Sequence, residues 1–175
     1  MVNFLIKAFW SIVQFFSKKK SVVIDSVPIE SISQPIPQPP QPVSMTDIQQ
    51  LVKTNNRNGF IGMCKRIAKE EGLTPELTTN LLATLECEAN FNNELIHPNN
   101  NAQGKTLSTD FYICQINDFY HIGKSKEFPS IQYVHDHPDE VVRWMCKMFK
   151  AGKARLWVCY SKNLYQKYLP NYRNI

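Results

Sequence analysis

The chain has 175 residues, 43% hydrophobic and 20% charged, with a formal net charge of +5. That is enough for one domain with residues left over, and the charge suits anionic partners without choosing among nucleic acid, acidic lipid and cell-wall polymer. No P-loop, G-x-G-x-x-G, H-E-x-x-H or CxxC pattern occurs, which argues against P-loop NTPases, Rossmann enzymes, zincins and zinc ribbons.

Residues 2–16 read VNFLIKAFWSIVQFF and run into Lys18-Lys19-Lys20. Asn3, Lys7, Ser11 and Gln14 fall on one face of a helix, and the broad remainder is apolar and rich in aromatics. The segment is shorter than the roughly 20 apolar residues of a membrane span. Its basic cluster follows the apolar run, unlike a signal peptide. The pattern fits a membrane-surface helix over 1–20 with lysines at the headgroups; a helix buried against a partner protein is the alternative. Residues 21–45 follow, with Pro35, Pro37, Pro39, Pro40 and Pro42 interleaved with Ile36, Gln38 and Gln41. They read as a polyproline spacer, or as a ligand for proline-reading domains.

Residues 46–175 read as a mainly α domain. Thr46 or Asp47 can cap a first helix carrying Ile48, Leu51 and Val52. A second runs near Ile61–Glu71, with Met63, Cys64, Ile67 and Ala68 inward and Gly72 as its stop. A third starts at Thr74-Pro75 and carries Leu77, Leu81, Leu82 and Leu85. A fourth begins near Pro138 and closes at Gly152; a last one holds Tyr165 and Tyr168. Little alternates with period two, so Asn90–Ser108, with asparagines at 90, 92, 93, 99, 100 and 101, reads as one long polar loop. Five cysteines, Cys64, Cys87, Cys114, Cys146 and Cys159, are spread through this domain. Buried free thiols are the plainer reading, and their pairing stays open.

Glu88 stands out on the third helix. It projects about 20° from Leu81, between Leu77 and Leu85, whereas Glu86 falls on a flank that solvent can reach. A carboxylate on an apolar stripe is costly to bury ionised, so its pKa should rise and make it a proton donor near neutral pH. If the last turn unwinds at Cys87, Glu88 instead faces water. The amides of the polar loop would suit a sugar ligand, or simply solvate the loop.

Glu88-Ala89-Asn90-Phe91-Asn92, a polar loop, then Ser108-Thr109-Asp110-Phe111-Tyr112-Ile113-Cys114-Gln115-Ile116-Asn117 resembles the lysozyme-like domain of soluble lytic transglycosylases and goose-type lysozymes, over roughly Leu73 to Tyr160. The resemblance implies a lysozyme-like helical domain behind the N-terminal helix and proline-rich linker, and cleavage of the β-1,4 bond between N-acetylmuramic acid and N-acetylglucosamine. It implies Glu88 as the catalytic acid and Gln115, Ile116 and Asn117 in the substrate cleft. Ser108 and Asp110 belong to the second motif, and Tyr120 and Tyr160 are the tyrosines expected to meet sugar. Two positions depart from the family: Ala89 replaces its usual Ser, and Tyr112 its usual Gly, which could narrow the cleft and leave a module that binds glycan without cutting it.

Asp110 is the strongest second carboxylate, with Glu86, Glu94 and Asp118 behind it; beside Ser108 and Thr109 it is expected to fix a local turn. One acid with capture by the substrate's own hydroxyl therefore favours a transglycosylase over a hydrolase. His135-Asp136-His137 offers no obvious third ligand nearby, so no metal and no cofactor is expected. The expected partners are peptidoglycan strands and, through residues 1–20, a membrane surface, with no nucleic acid. The expected place is the cell envelope, or a virion, although lysines after the apolar run favour a cytoplasmic C-terminal side.

Overall fold

The structure is a computed structural model that describes residues 44–174. The helix expected over 1–20 and nearly all of the spacer over 21–45 lie outside the described residues. Helix α1 spans Met45–Thr54. Its N-cap is Ser44, one turn earlier than a cap at Asp47 would require. The Ser44 hydroxyl accepts the Asp47 N–H while the Asp47 carboxylate accepts the Ser44 N–H, a reciprocal capping box. Helix α2, Arg57–Glu70, also starts earlier than its apolar stripe suggests, because Asn56 caps it through the Gly59 N–H. Phe60, Met63, Cys64, Ile67 and Ala68 are its buried face. Gly72, at φ +68°, turns the chain out of α2 as expected.

Helix α3, Pro75–Ala89, begins as the sequence requires: Thr74 accepts the Leu77 N–H and Pro75 occupies the first helical position. Leu81, Leu82 and Leu85 are fully buried. The helix ends on two consecutive left-handed residues, Asn90 and Phe91. Phe91 is buried, and the side chains of Asn55, Asn90, Asn92 and Asn93 bond Arg57, each other or nearby main chain to secure the exit.

The expected polar loop is a β-hairpin. Strand β1, Ile96–Asn100, pairs antiparallel with β2, Thr106–Phe111, and β2 pairs with the short β3, Ile116–Asn117, giving sheet order β1-β2-β3. The Asn101 side chain accepts the N–H groups of Gln103 and Lys105 and closes the hairpin turn. Most of β1 and the start of β2 face solvent on both sides, so no apolar alternation marks them in the sequence.

After β3 come two short helices, α4 (Asp118–His121) and α5 (Ile131–Asp136), which the sequence did not signal. Helix α6, Pro138–Lys150, buries Val141, Val142, Met145, Cys146 and Phe149 against α2 and α3. Arg143 on α6 pairs with Glu70 and Glu71 at the end of α2. Beyond Gly152, a 3-10 turn at Ala154–Leu156 leads to α7, Val158–Ser161, and a 3-10 helix over Leu164–Tyr172 packs along α3. The domain is mainly α with one small sheet, and among the described residues no helix is long and apolar enough to cross a membrane.

Tyr112 sits at the β2–β3 turn with φ +63°. This is a conformation that costs a non-glycine residue roughly 1–2 kcal/mol. Its ring is buried, edge-on to His135 at 5.0 Å and tilted against Phe111 at 5.5 Å. Tyr112→Gly relieves the backbone but removes a buried ring that is worth roughly 3 kcal/mol or more. The expected net loss is about 2 kcal/mol, read from urea denaturation. A variant as stable as wild type would show that the strain, and not the ring, dominates this turn.

Candidate functional site

The site is assembled at the C-terminal end of α3. The phase that buries Leu81 and Leu85 carries Glu88 inward, and the helix stays regular through Ala89, so Glu88 does not turn out to water. Its carboxylate is half-buried, and Oε1 accepts the backbone N–H of Cys159 at 2.7 Å. The Glu88 pKa is raised above the ordinary carboxylate value. Burial is the main cause; the Cys159 N–H opposes it, the negative charge of Asp110 adds to it, and His97 opposes it.

Glu86 has a different environment from the exposed flank expected for it. Its side chain is only 10% exposed; Arg57 pairs with Oε1 at 2.6 Å and Asn171 donates to Oε2 at 3.0 Å. This carboxylate ties α3 to α2 and to the C-terminal 3-10 helix. Cys87, between the two glutamates, forms a disulfide with Cys159, whose Cα lies 6.1 Å away. The residue before Glu88 is therefore covalently joined to the residue that donates to it. Cys64, Cys114 and Cys146 are buried free thiols.

Glu88 opens into a cleft of about 480 Å³. Of the expected residues, Ser108, Asp110, Gln115, Ile116, Asn117 and Tyr120 line this cleft with Glu88. Tyr160 does not: it lines a separate groove, stacked on Tyr165 at 4.7 Å. Asn117 organises the sheet side of the cleft, donating to Asp110 at 2.7 Å and to Ser108 at 3.0 Å, and its Oδ1 is buried with no partner among the described residues. Asp110 therefore bonds a side chain, and the turn-fixing role expected of it falls to Asp118, which accepts the Thr109 N–H at 2.9 Å. The Gln115 amide donates to the Tyr112 carbonyl at 2.8 Å and so braces the turn below the cleft. Tyr112 is not among the cleft residues; its ring is packed on Phe111 and His135.

Five further lining residues escaped the sequence reading as cleft groups: His121, Trp144, Leu156, Trp157 and Val158. Of the asparagines at 90, 92, 93, 99, 100 and 101, Asn99 alone lines the cleft. Trp144 flanks the apolar stripe of α6, a placement that periodicity marks only as an edge of the core. It packs edge-on to His121 at 5.0 Å and to Trp157 at 5.7 Å. Trp157 donates its indole N–H to the Cys114 carbonyl at 2.8 Å and locks the late segment to the β2–β3 turn. Tyr120, 67% exposed and edge-on to Phe119, stands at the mouth, and Leu156 and Val158 expose apolar surface at the cleft as well.

This arrangement can bind a polar, ring-containing ligand through amides, hydroxyls and indoles, and can deliver one proton from Glu88. Glu88 and Asp110 are the carboxylates that line the cleft, and His121 is a further titratable group there. No protein-family model, curated protein or solved structure matches the chain.

Because the folded state holds the Glu88 proton more tightly than the unfolded chain, this group's contribution to stability is complete below the ordinary value of 4.5 and is lost as pH rises through the raised folded value. Glu88→Gln keeps an acceptor for the Cys159 N–H and carries no charge. Its stability relative to wild type is expected to rise between pH 4 and pH 7, read from denaturation midpoints at both pH values. A constant difference would mean that the fold does not raise the Glu88 pKa. The disulfide closes a loop between residues 72 apart. Cys87→Ser is expected to cost about 4 kcal/mol in urea denaturation under oxidising conditions; the same variant compared with wild type under reducing conditions should show little difference.

Proposed function

We propose that residues 46–175 form a lysozyme-like domain that cleaves peptidoglycan as a lytic transglycosylase, at the β-1,4 bond between N-acetylmuramic acid and N-acetylglucosamine. The observation that carries this reading is Glu88: half-buried, raised in pKa, fixed by one backbone N–H, and open to a cleft lined by amide, hydroxyl and indole groups. The protonated Glu88 donates to the glycosidic oxygen as the bond from that oxygen to the muramic C1 breaks. The oxocarbenium-like C1 is captured by the 6-hydroxyl of the same sugar, whose proton passes to the Glu88 carboxylate. The acid is restored and a 1,6-anhydro end is left. No outside nucleophile is needed, because the hydroxyl is intramolecular, with an effective concentration on the order of 10⁵ M or more in well-oriented cases.

Two placements bear on the alternatives. The reading of a module that binds without cutting rested on Tyr112, whose ring is packed away from the cleft. Asp110, in contrast, shares the cleft with Glu88, which favours a second reading in which water replaces the 6-hydroxyl and Asp110 positions or activates it. On either reading residues 1–20 would hold the domain at a membrane surface of the cell envelope, or in a virion, with residues 21–45 as spacer.

Digestion of purified peptidoglycan in ¹⁸O-water, read by mass spectrometry, separates the two. The expected product is a 1,6-anhydro end without ¹⁸O, formed by wild type and by Asp110→Asn. Glu88→Gln should lower the rate by on the order of 10²–10⁴. Label at the new muramic end would transfer the capture step to water and Asp110, and unaltered cleavage by Glu88→Gln would end the assignment of the acid.

A further inference from the structure

The Cys87–Cys159 disulfide closes on the site itself. Cys87 is the residue before Glu88, and Cys159 supplies the N–H that Glu88 Oε1 accepts at 2.7 Å. Just ahead of Cys159, Leu156, Trp157 and Val158 line the cleft, so the bridge joins the end of α3 to the cleft's own wall. Trp157 is buried and its indole bonds the Cys114 carbonyl; beyond Cys159, Tyr160 stacks on Tyr165. These contacts hold the two ends of α7. Between them, the Cys159–Glu88 bond is the one hydrogen bond from Ala154–Ser161 to α3 among the described residues.

Among the five cysteines, this pair is the one open to exchange. Cys87 is partly exposed, whereas Cys64, Cys114 and Cys146 are fully buried, and burial pushes their thiols up, that of Cys146 to about 12. A buried, uncharged thiol neither attacks a disulfide nor meets an external one. From Val141 to Ile175 the sequence has no Asp or Glu, so the segment around Cys159 holds no carboxylate of its own to oppose a departing thiolate. The C-terminal 3-10 helix stays tied to α3 without the bridge: Asn171 donates to Glu86, and Thr79 to the Tyr172 carbonyl. Opening the bridge therefore loosens α7 locally and leaves the rest of the fold its own anchors.

We propose that Cys87–Cys159 is a thiol–disulfide exchange site through which a dithiol reductant switches the Glu88 site off and reoxidation restores it. One thiolate of the reductant attacks Cys87 Sγ, the S–S bond breaks, and Cys159 leaves as a thiolate that takes a proton from water. The second thiol of the reductant then displaces Cys87, so the protein ends with two thiols and the reductant with a disulfide. One hydrogen bond now ties α7 to α3. As α7 pivots between its packed ends, the Cys159 N–H leaves Glu88 and water enters. Burial is the main cause of the raised Glu88 pKa, so hydration lowers it toward the ordinary value; loss of the N–H works the other way and is the smaller effect. A chain in a reducing compartment is dormant, and one that reaches an oxidising compartment becomes active. The effect on cleavage rests on the lytic reading of the cleft; the release of Glu88 does not.

The test uses the full chain oxidised, reduced with dithiothreitol, and reoxidised, with thiols counted by alkylation and mass spectrometry. Reduction is expected to slow cleavage of purified peptidoglycan by on the order of 10², within what one positioned acid contributes, and reoxidation to restore it. Amide NMR resonances of α2 and α6 should persist in the reduced chain, and the Glu88 carboxyl, followed by ¹³C NMR, should titrate lower than in the oxidised chain. The double variant Cys87→Ala, Cys159→Ala should cleave at the reduced rate with or without dithiothreitol. Equal rates from the oxidised and the fully reduced chain would overturn the switch and leave the lytic reading standing. Loss of the α2 and α6 resonances on reduction would make the bridge a structural cross-link and overturn the switch too. Cleavage by neither form would end the lytic reading; the Glu88 titration then decides the switch, which stands if reduction lowers it and falls if the two titrations coincide.

Discussion

The hydrogen bond from the Cys159 N–H to Glu88 Oε1 is the constraint on which the site depends. A carboxylate at the end of an apolar helix face loses hydration and needs a partner. Two or three N–H donors would hold it ionised well below its ordinary range; one donor fixes the side chain without reversing the effect of burial. The donor must come from a distant part of the chain, and the Cys87–Cys159 disulfide makes that distance permanent from the neighbouring residue. Covalent bond and hydrogen bond therefore act on the same two positions, one setting how close the backbones lie and the other where the carboxylate points.

The facing side of the cleft is fixed by main-chain geometry that few residues adopt. Tyr112 and Gln115 both have positive φ, and the tight turn between them brings Ile116 and Asn117 back beside β2. Gln115 braces that turn from below, and the Trp157 indole holds its Cys114 carbonyl from the side. Trp157 belongs to the same late segment as Cys159. The segment that orients Glu88 thus also positions the opposing sheet, and the cleft width follows from one short stretch of chain, Trp157 to Cys159. The Tyr112 ring supports the turn from outside by packing on Phe111 and His135. A residue that seemed to threaten the cleft in the sequence is part of the turn's foundation.

Elements whose signals are local were legible. Thr74-Pro75 states a helix start chemically, Gly72 and Gly152 supply the left-handed exits, and the leucines of α3 fix the face on which Glu88 falls. The hairpin was not legible because most of it stands in water on both faces, so alternation never had a reason to appear. The asparagine-rich stretch looked like one ligand-binding edge, yet Asn90 and Asn92 bond at the exit from α3, Asn93 donates to the His135 carbonyl and Asn101 closes the hairpin; side-chain amides serve the fold as readily as sugars, and composition does not separate the two. The disulfide partner of Cys87 and the groove position of Tyr160 depend on how the late segment folds back across α3, a long-range fact with no local mark.

Glu86 and Glu88 show how two carboxylates two residues apart come to serve opposite ends. Helical phase sends them to different faces, about 200° apart. Glu86 meets the Arg57 guanidinium and the Asn171 amide, a pairing that anchors the helix end. Among the described residues Glu88 has no lysine or arginine partner, only the Cys159 N–H and the weaker influence of His97, against burial and the charge of Asp110. A cation at Glu88 would oppose the effect of burial on its pKa, and with it the proposed acid role. The helix end is therefore held by Arg57 on one face and by the disulfide beside the other. With the anchoring done elsewhere, Glu88 can remain in a half-buried position that is unfavourable for its charge, the position on which the proposed acid role rests.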